Sequence, residues 1–221
     1  HRQMLDQVMD TFQLKADRDF RLMEPSQSLH RLTGRILEAM EQALGQERPD
    51  CIVIQGDTTT VLAAALAAFY EQVPTAHVEA GLRTYQRYSP FPEEINRTLT
   101  SRLCSFHFAP TPRAKDNLLR EGIPAETIWV TGNTVIDALD IVLRRLTDRP
   151  PSLPEGFPAA QIQSGRRMIL ITGHRRENFG TGFEAICTAI GRLARRYPEA
   201  VFVYPVHLNP NVQQPVRRML G

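Results

Sequence analysis

The chain has 221 residues and a formal net charge of +2, from 26 Lys and Arg residues against 24 Asp and Glu residues. This length fits one large domain or parts of two, and the balanced charge disfavours a nucleic-acid surface, which needs a clustered basic excess. No apolar run reaches the roughly 18 residues that a membrane-spanning helix needs, and no signal peptide opens the chain, so we expect a cytoplasmic protein that binds neither nucleic acid nor membrane.

The cysteines are odd in number and far apart. Cys51, Cys104 and Cys187 all lie in apolar segments, so we expect buried free thiols in a reducing compartment. The chain also begins without Met at a helical pattern and stops straight after another. We therefore interpret it as part of a longer protein.

The first elements in chain order follow from apolar spacing. A helical stripe predicts a helix over residues 2–12, and the short apolar piece at 20–23 is interpreted as a strand. Turn and capping residues at 25–28 introduce a long helix to about residue 46. The all-apolar run 51–54 is typical of a parallel strand buried on both faces. A tight turn at 55–60 then leads into an Ala-rich helix.

The same cycle repeats further along the chain. Strands are predicted at residues 76–78, 105–108 and 128–130, and helices at residues 93–103, 112–120 and 135–146. Such alternation predicts an α/β fold, in which a parallel sheet carries helices on both faces.

A proline-rich stretch at residues 148–165 interrupts the alternation and is predicted to link two domains. Residues 1–147 then form an N-terminal domain, and residues 166–221 form the start of a second one. The second segment contains only two predicted strands, at about 168–171 and 201–204. Because two strands do not complete a domain, we expect the second domain to be truncated.

Acidic residues follow the predicted strands, at the sheet edge where open α/β folds bind ligands. Asp57 stands in a strand-to-helix turn, where it is either a helix cap or a site residue. Glu79 directly follows a buried strand, which is expected to raise its pKa towards acid–base duty. Glu93 and Glu94 open a helix, whose dipole alone accounts for one of them. We expect Asp57, Glu79 and one of this pair to share a crevice suited to proton removal and delivery.

A second polar cluster follows the strand predicted at 168–171. It contains His174, which is suited to proton donation or phosphate binding near neutral pH. Arg175 and Arg176 are suited to bidentate capture of a phosphate or carboxylate. The alternative is a solvated turn that caps the following helix.

A metal site is the rival interpretation of the histidines. The spacing of His77, His107, His174 and His207 matches no zinc pattern. The chain also contains no glycine-rich dinucleotide fingerprint. We therefore expect neither a metal nor another cofactor.

Six blocks together resemble one family. They are residues 55–60, 77–84, 89–97, 131–137, 172–178 and 204–210. In this order they resemble the bacterial non-hydrolysing UDP-N-acetylglucosamine 2-epimerases. The resemblance implies two Rossmann-like domains in a GT-B-like arrangement, a homodimer without cofactor, and interconversion of UDP-GlcNAc and UDP-ManNAc. In that family UDP is eliminated to leave 2-acetamidoglucal and is then added back.

The resemblance also implies roles for matched residues. The catalytic residues are Asp57, Glu79, Glu93 and His174. The residues that bind substrate or an allosteric ligand are Gln3, Arg83, Arg175, Arg176, Glu177, His207 and Asn209. Of these positions, Gln3, Glu93, Arg175 and His207 match those that contact a second, activating UDP-GlcNAc in bacterial members. Two departures are Gln55, where His is common, and Ser26, where some members place an activator-binding arginine.

Two other functions stay open. A hydrolysing epimerase would release free N-acetylmannosamine and UDP. Alternatively, the chain is a nucleotide-sugar-binding fragment without turnover, because it has no counterpart to the family's opening glycine turn or to its uridine-binding segment.

Overall fold

A computed structural model describes residues 2–24, 26–150, 152–154, 156–173 and 179–221, with the side chains of residues 2–4 excepted. Contacts within the chain divide it into two units, His1–Arg144 and Arg145–Gly221. Among the described residues, no helix combines the length and apolar character needed to cross a membrane.

The first unit contains one parallel sheet and most of the helices. Its elements are α1 (Arg2–Phe12), α2 (Leu29–Glu47), β1 (Ile52–Gln55), α3 (Thr59–Tyr70), β2 (Thr75–Val78), α4 (Glu93–Leu103), β3 (Phe106–Ala109), α5 (Pro112–Arg120), a 3-10 turn (Ala125–Thr127), β4 (Ile128–Val130) and α6 (Thr134–Asp148). The strands pair in the order β1-β2-β3-β4, all parallel. Their carboxyl ends therefore meet at one edge, and the turns that leave this edge carry the acidic residues.

Hydroxyl side chains define where several helices begin. Ser28 accepts a hydrogen bond from the backbone N–H of Arg31 at the start of α2, and Thr111 accepts one from Ala114 at the start of α5. Pro112 occupies the first turn of α5, where its missing N–H costs no helical hydrogen bond. These caps explain why the helix starts were readable from sequence.

The two faces of the sheet differ in burial. On one face Ile54, His77, His107 and Ile128 lie in register and are buried. On the other face Val53 is 70% exposed and Trp129 is 44% exposed. The expectation that the first strand is buried on both faces is therefore wrong. Helix α3 packs its Val61 and small alanines against the Ile54 side, and β1 is an edge strand of the described sheet.

The second unit is smaller. Its elements are α7 (Ala159–Gln163), β5 (Met168–Leu170), α8 (Thr181–Arg196), β6 (Val201–Val203) and α9 (Pro210–Leu220). Strands β5 and β6 pair in parallel, and helices α8 and α9 share a core of Phe183, Cys187, Val212 and Val216. The assignment of residues 148–165 as a linker stays a prediction, and α7 lies within that stretch.

Two local expectations are wrong. Residues 20–23 form no strand, because Arg21 has a left-handed φ of 48° and the carbonyl of Leu22 accepts from the Gln27 side chain instead of a ladder partner. Cys51 is exposed at the start of the edge strand, whereas Cys187 is buried. Cys104 is half-buried, and burial raises the pKa of its thiol to about 12.

Candidate active site

The turn after β1 is held from the neighbouring strand. The buried His77 Nε2 lies 2.8 Å from the carbonyl oxygen of Gly56. Burial lowers the pKa of His77 to about 4, so the imidazole is neutral at physiological pH. Because a carbonyl only accepts hydrogen bonds, the proton is on Nε2. This bond fixes the turn that contains Asp57.

Asp57 is not the cap of α3. The hydroxyl of Thr58 accepts from the backbone N–H of Val61 and is the N-cap. Asp57 is instead held from α4, where Asn96 Nδ2 donates to its backbone carbonyl at 2.9 Å. Its carboxylate Oδ2 lies 3.5 Å from Arg97 Nη2. These contacts favour the interpretation of Asp57 as a site residue over that of a helix cap.

Glu79 leaves β2 at the same edge. A Cβ added to Gly56 would lie 3.8 Å from Glu79 Oε2, so the carboxylate lies beside the turn that carries Asp57. Burial raises the pKa of Glu79, and the negative charge of Asp57 raises it further, which agrees with the expectation from its position after a strand. Burial also raises the pKa of Asp57, although Arg97 opposes this. The two carboxyl groups thus hold protons more tightly than free ones do.

The backbone of Glu79 is in the left-handed region, with φ of 70°. For a non-glycine residue this conformation costs roughly 1–2 kcal/mol. Such residues persist where the surrounding structure imposes them, and they cluster at functional sites. The left-handed backbone sets the direction in which the Glu79 side chain leaves the end of β2.

The two glutamates that open α4 have different environments. Glu94 is buried and accepts hydrogen bonds from the backbone N–H groups of Thr84 at 3.0 Å and Tyr85 at 2.7 Å. It therefore fixes the loop after β2. Glu93 is half-buried, and its charge raises the pKa of Asp57. Glu93 is the member of the pair that stays a candidate for chemistry.

The Arg83 side chain is held by hydrogen bonds within the first unit. Its side chain is buried and makes a bidentate pair with Glu121, in which Nε and Nη2 each lie 2.8 Å from a carboxylate oxygen. Nη1 donates to the carbonyl of Leu82, and Nη2 also donates to Ser101 Oγ. All three guanidinium nitrogens of Arg83 thus have partners within the first unit, and its role in ligand binding stays a prediction.

An open pocket of about 550 Å³ lies at this sheet edge. It is lined by Phe12, Gln55, Glu79, Asn133, Thr134, Val135 and Ala138. Gln55 Nε2 donates to Thr134 Oγ1 at 3.1 Å, which ties the end of β1 to the start of α6. Glu79 thus borders a space large enough for part of a small molecule.

The edge of the second sheet presents different chemistry. The backbone N–H of Asn209 donates to His207 Nδ1 at 3.1 Å, and the Asn209 side chain caps α9 by accepting from the backbone of Asn211. The hydroxyl of Tyr204 donates to the carbonyl of Gly173 at 2.7 Å. His207 and Asn209 therefore lie just beyond the carboxyl end of β6. Among the residues that the structure describes, no group of three or more His, Cys, Asp or Glu side chains is arranged to hold a metal ion.

A sequence model of the family described as UDP-N-acetylglucosamine 2-epimerase matches residues 1–221. The chain belongs to this family. UDP-N-acetylglucosamine 2-epimerases of Yersinia pestis and Salmonella typhimurium are each 52% identical to it, over 223 and 224 aligned residues. Both alignments cover 100% of this chain and 59% of the relative, so the chain spans about three fifths of the length of these curated relatives.

Solved structures of UDP-N-acetylglucosamine 2-epimerases share the fold. The UDP-GlcNAc 2-epimerase from Neisseria meningitidis bound to UDP-GlcNAc has a TM-score of 0.89 and 48% identity, covering 100% of this chain and 59% of that one. The enzyme from Methanocaldococcus jannaschii has a TM-score of 0.72 and 34% identity, covering 99% of this chain and 59% of that one. The predicted α/β class, with parallel sheets and helices in a GT-B-type fold, is confirmed.

Apart from Arg83, the site residues expected for a UDP-N-acetylglucosamine 2-epimerase fall into three groups. Asp57, Glu79 and Glu93 meet at the first sheet edge. His207 and Asn209 lie in the second unit. The remaining expected residues, His174, Arg175, Arg176, Glu177 and the side chain of Gln3, lie outside the described part of the chain.

Sequence reasoning assigned no role to three groups at the first edge of this epimerase-family chain. Arg97 and Asn96 hold Asp57, and Asn133 lines the pocket beside Glu79. Asn133 carried a usable signal, because it comes three residues after the end of β4, at the edge where ligands bind. The contacts of Arg97 depend on how α4 packs, so no local pattern indicated them.

Proposed function

We propose that the whole protein to which this chain belongs is a non-hydrolysing UDP-GlcNAc 2-epimerase, which interconverts UDP-GlcNAc and UDP-ManNAc. The observation that carries the proposal is the pair of neighbouring carboxyl groups, Asp57 and Glu79, both with a pKa raised chiefly by burial. Family membership supplies the substrate, and the Neisseria meningitidis relative has been solved with UDP-GlcNAc bound.

The chemistry requires elimination. Carbon 2 of the sugar bears an acetamido group and is not next to a carbonyl, so its C–H bond is a very weak acid. In the proposed route the proton on carbon 2 passes to a carboxylate while the C1–O bond breaks, and its electron pair leaves with UDP. The product is 2-acetamidoglucal. UDP then re-forms the C1–O bond, and a proton is placed on the opposite face of carbon 2.

The acidic edge suits this exchange of protons. The negative charge of Asp57 raises the pKa of Glu79, so Glu79 binds a proton more readily while Asp57 is charged. A charged carboxylate accepts the proton from carbon 2, and a protonated one delivers it. Glu93, which adds negative charge beside Asp57, stabilises the positive charge that grows at carbon 1.

The leaving diphosphate needs positive countercharge. We assign this role to His174, Arg175 and Arg176, whose charge-assisted hydrogen bonds neutralise phosphate oxygens. Glu177, His207 and Asn209 complete the binding residues carried over from the family. Gln3, Glu93, Arg175 and His207 are proposed to contact a second, activating UDP-GlcNAc, and the protein is proposed to act as a homodimer.

The test uses the full-length protein in deuterium oxide, without NAD or added metal. Incubated with UDP-GlcNAc and followed by NMR, it should form UDP-ManNAc that carries deuterium at carbon 2. Release of free N-acetylmannosamine and UDP would instead establish a hydrolysing epimerase. An epimerised product without deuterium would contradict proton exchange through solvent-equilibrated carboxyl groups. Absence of turnover by this chain alone, together with weak or no binding of UDP, would favour the alternative of a nucleotide-sugar-binding fragment.

A further inference from the structure

Arg97 is a buried cation at the acidic edge of the first sheet. Its side chain is 9% exposed and projects from the second turn of α4. Its Nη2 lies 3.5 Å from Asp57 Oδ2, and its Nε lies 3.3 Å from Glu94 Oε2. The proposed function gives this arginine no role.

Arg97 has partners within its own helix as well as Asp57. Glu94 is itself fixed, because it accepts hydrogen bonds from the backbone N–H groups of Thr84 and Tyr85. Arg97 Nε also lies 3.4 Å from the carbonyl of Glu93, one turn earlier in α4. A buried guanidinium is stable only when such partners satisfy it. The end of the guanidinium that faces Asp57 is therefore held in place before any ligand arrives.

The distance to Asp57 is informative. Charge-assisted hydrogen bonds between guanidinium and carboxylate are typically about 2.7–2.9 Å long. At 3.5 Å, the Arg97–Asp57 pair is an electrostatic contact without a tight hydrogen bond. This arrangement stabilises the negative charge of Asp57 while leaving its oxygens available to accept a proton.

The other groups that face Asp57 all oppose its charge or are neutral. Burial raises the pKa of Asp57, and the charges of Glu93 and Glu94 on α4 raise it too, whereas Arg97 is the strongest influence that lowers it. Glu79 lies in the turn after β2, and the negative charge of Asp57 raises its pKa. His77, which holds the Gly56 carbonyl, is neutral at physiological pH.

We propose that Arg97 is a positioning residue that keeps the Asp57 carboxylate charged and in place for proton transfer. This inference rests on the proposed function, because it assigns Asp57 a part in catalysis. Asn96, the residue before Arg97 on α4, supports the same arrangement by donating a hydrogen bond to the backbone carbonyl of Asp57.

The experiment compares two variants in the full-length protein. Arg97→Gln removes the buried charge, and Arg102→Gln removes an exposed arginine from the same helix as a matched control. Loss of an adjacent opposite charge typically raises a carboxyl pKa by roughly 1–3 units. In Arg97→Gln the acid limb of the plot of kcat/KM against pH should move to higher pH by that amount. At pH values below the limb, kcat/KM of the variant should be about 10–1,000-fold lower than that of wild type, and the difference should shrink as the pH rises. Arg102→Gln should keep the wild-type profile.

A purely structural role for Arg97 makes a different prediction. It would lower activity by the same factor at every pH, and that result would overturn the proposal, as would an unshifted profile. If Arg97→Gln does not fold, the double variant Glu94→Gln/Arg97→Met removes both buried charges together and avoids an unpaired one. Arg97 acts more strongly on Asp57 than Glu94 does, so the acid limb should still move upward, and no movement would contradict the proposal.

A direct titration separates this inference from the proposed function. NMR of carbon-13-labelled aspartate in the full-length protein should show the Asp57 carboxyl titrating at higher pH in Arg97→Gln than in wild type. If the wild-type protein had no epimerase activity, the proposed function would fail. The titration would still test whether Arg97 lowers the pKa of Asp57. An unchanged Asp57 titration would overturn the electrostatic part of the proposal whatever the activity.

Discussion

The carboxyl edges of the two sheets are organised in different ways. At the first edge, the groups that hold Asp57 come from distant parts of the chain, since Asn96 lies 39 positions away in sequence. At the second edge, the described hydrogen bonds of Asn209 are with His207, Asn211, Val212 and Gln213, all within four positions in sequence. Asp57 is therefore held by tertiary packing and Asn209 by local turn contacts, although the second edge also has a long-range hydrogen bond from Tyr204 to Gly173.

This difference suits the two sheet edges to different roles in the proposed reaction. Acid–base groups need their pKa tuned, which requires burial and charged neighbours fixed by the fold. Anion-binding groups need only charge and hydrogen-bond donors at the end of a strand, which a short turn supplies. We therefore expect substitutions at the first edge to act on proton transfer, and substitutions at the second edge to act on binding of the leaving group.

The largest effect is expected from Glu79→Gln, which keeps the shape of the side chain but removes the base. Turnover of the full-length protein should fall by roughly two to four orders of magnitude, the range for losing general acid–base catalysis. Glu71→Gln removes an exposed carboxylate from the same unit and should leave turnover unchanged. If Glu79→Gln lowered thermal stability but kept turnover per folded molecule, Glu79 would be a structural residue only.

His174→Asn tests the second edge. If His174 acts on the leaving diphosphate, turnover should fall strongly and UDP binding should weaken by about 1–3 kcal/mol, the range for losing a hydrogen bond to a charged group. Calorimetric titration with UDP measures the second effect, and His30→Asn, which changes an exposed histidine of α2, is the control. Normal turnover in His174→Asn would contradict the division between the two edges.

Gly81→Ala tests how firmly the fold fixes the loop that follows Glu79. The new Cβ would lie 2.2 Å from the backbone oxygen of Ala114, and Gly81 has a φ of 88°. The control is Gly122→Ala, which has the comparable φ of 78° but no atom within 4 Å of the new Cβ. Both variants lose about 1–2 kcal/mol from the left-handed backbone, and steric overlap should cost Gly81→Ala a further 1–3 kcal/mol or so in urea unfolding. Equal losses would show that the loop moves aside easily.

The sequence predicted helices and strands well where nearby residues mark the start and the end of a helix. The helices predicted at 93–103 and 112–120 and the strand at 128–130 are confirmed. Proline or glutamate at the helix starts and glycine after the second helix account for this. The strand interpretation of residues 20–23 failed because four apolar residues do not specify a pairing partner.

Sequence order predicted some placements at the first sheet edge and not others, for one physical reason. Strand ends of a parallel sheet meet at one edge, so the convergence of Asp57 and Glu79 followed from the alternation pattern. Which of Glu93 and Glu94 is engaged by the loop, and that Arg83 pairs with Glu121, depends on contacts across the fold. Sequence order carries little information about such contacts. The same limit applied to the exposed face of β1, because burial depends on what packs there.

The indole of Trp129 gives the first unit an optical signal of its own. It is the single tryptophan of the chain, lies in β4, and has ring centroids of Phe106 and Phe108 at 6.1 and 5.8 Å. Its emission will shift when the sheet that carries Asp57 and Glu79 comes apart. Far-ultraviolet circular dichroism follows the helices of both units. A difference between the two unfolding curves would therefore show whether the acidic edge melts before the rest of the protein.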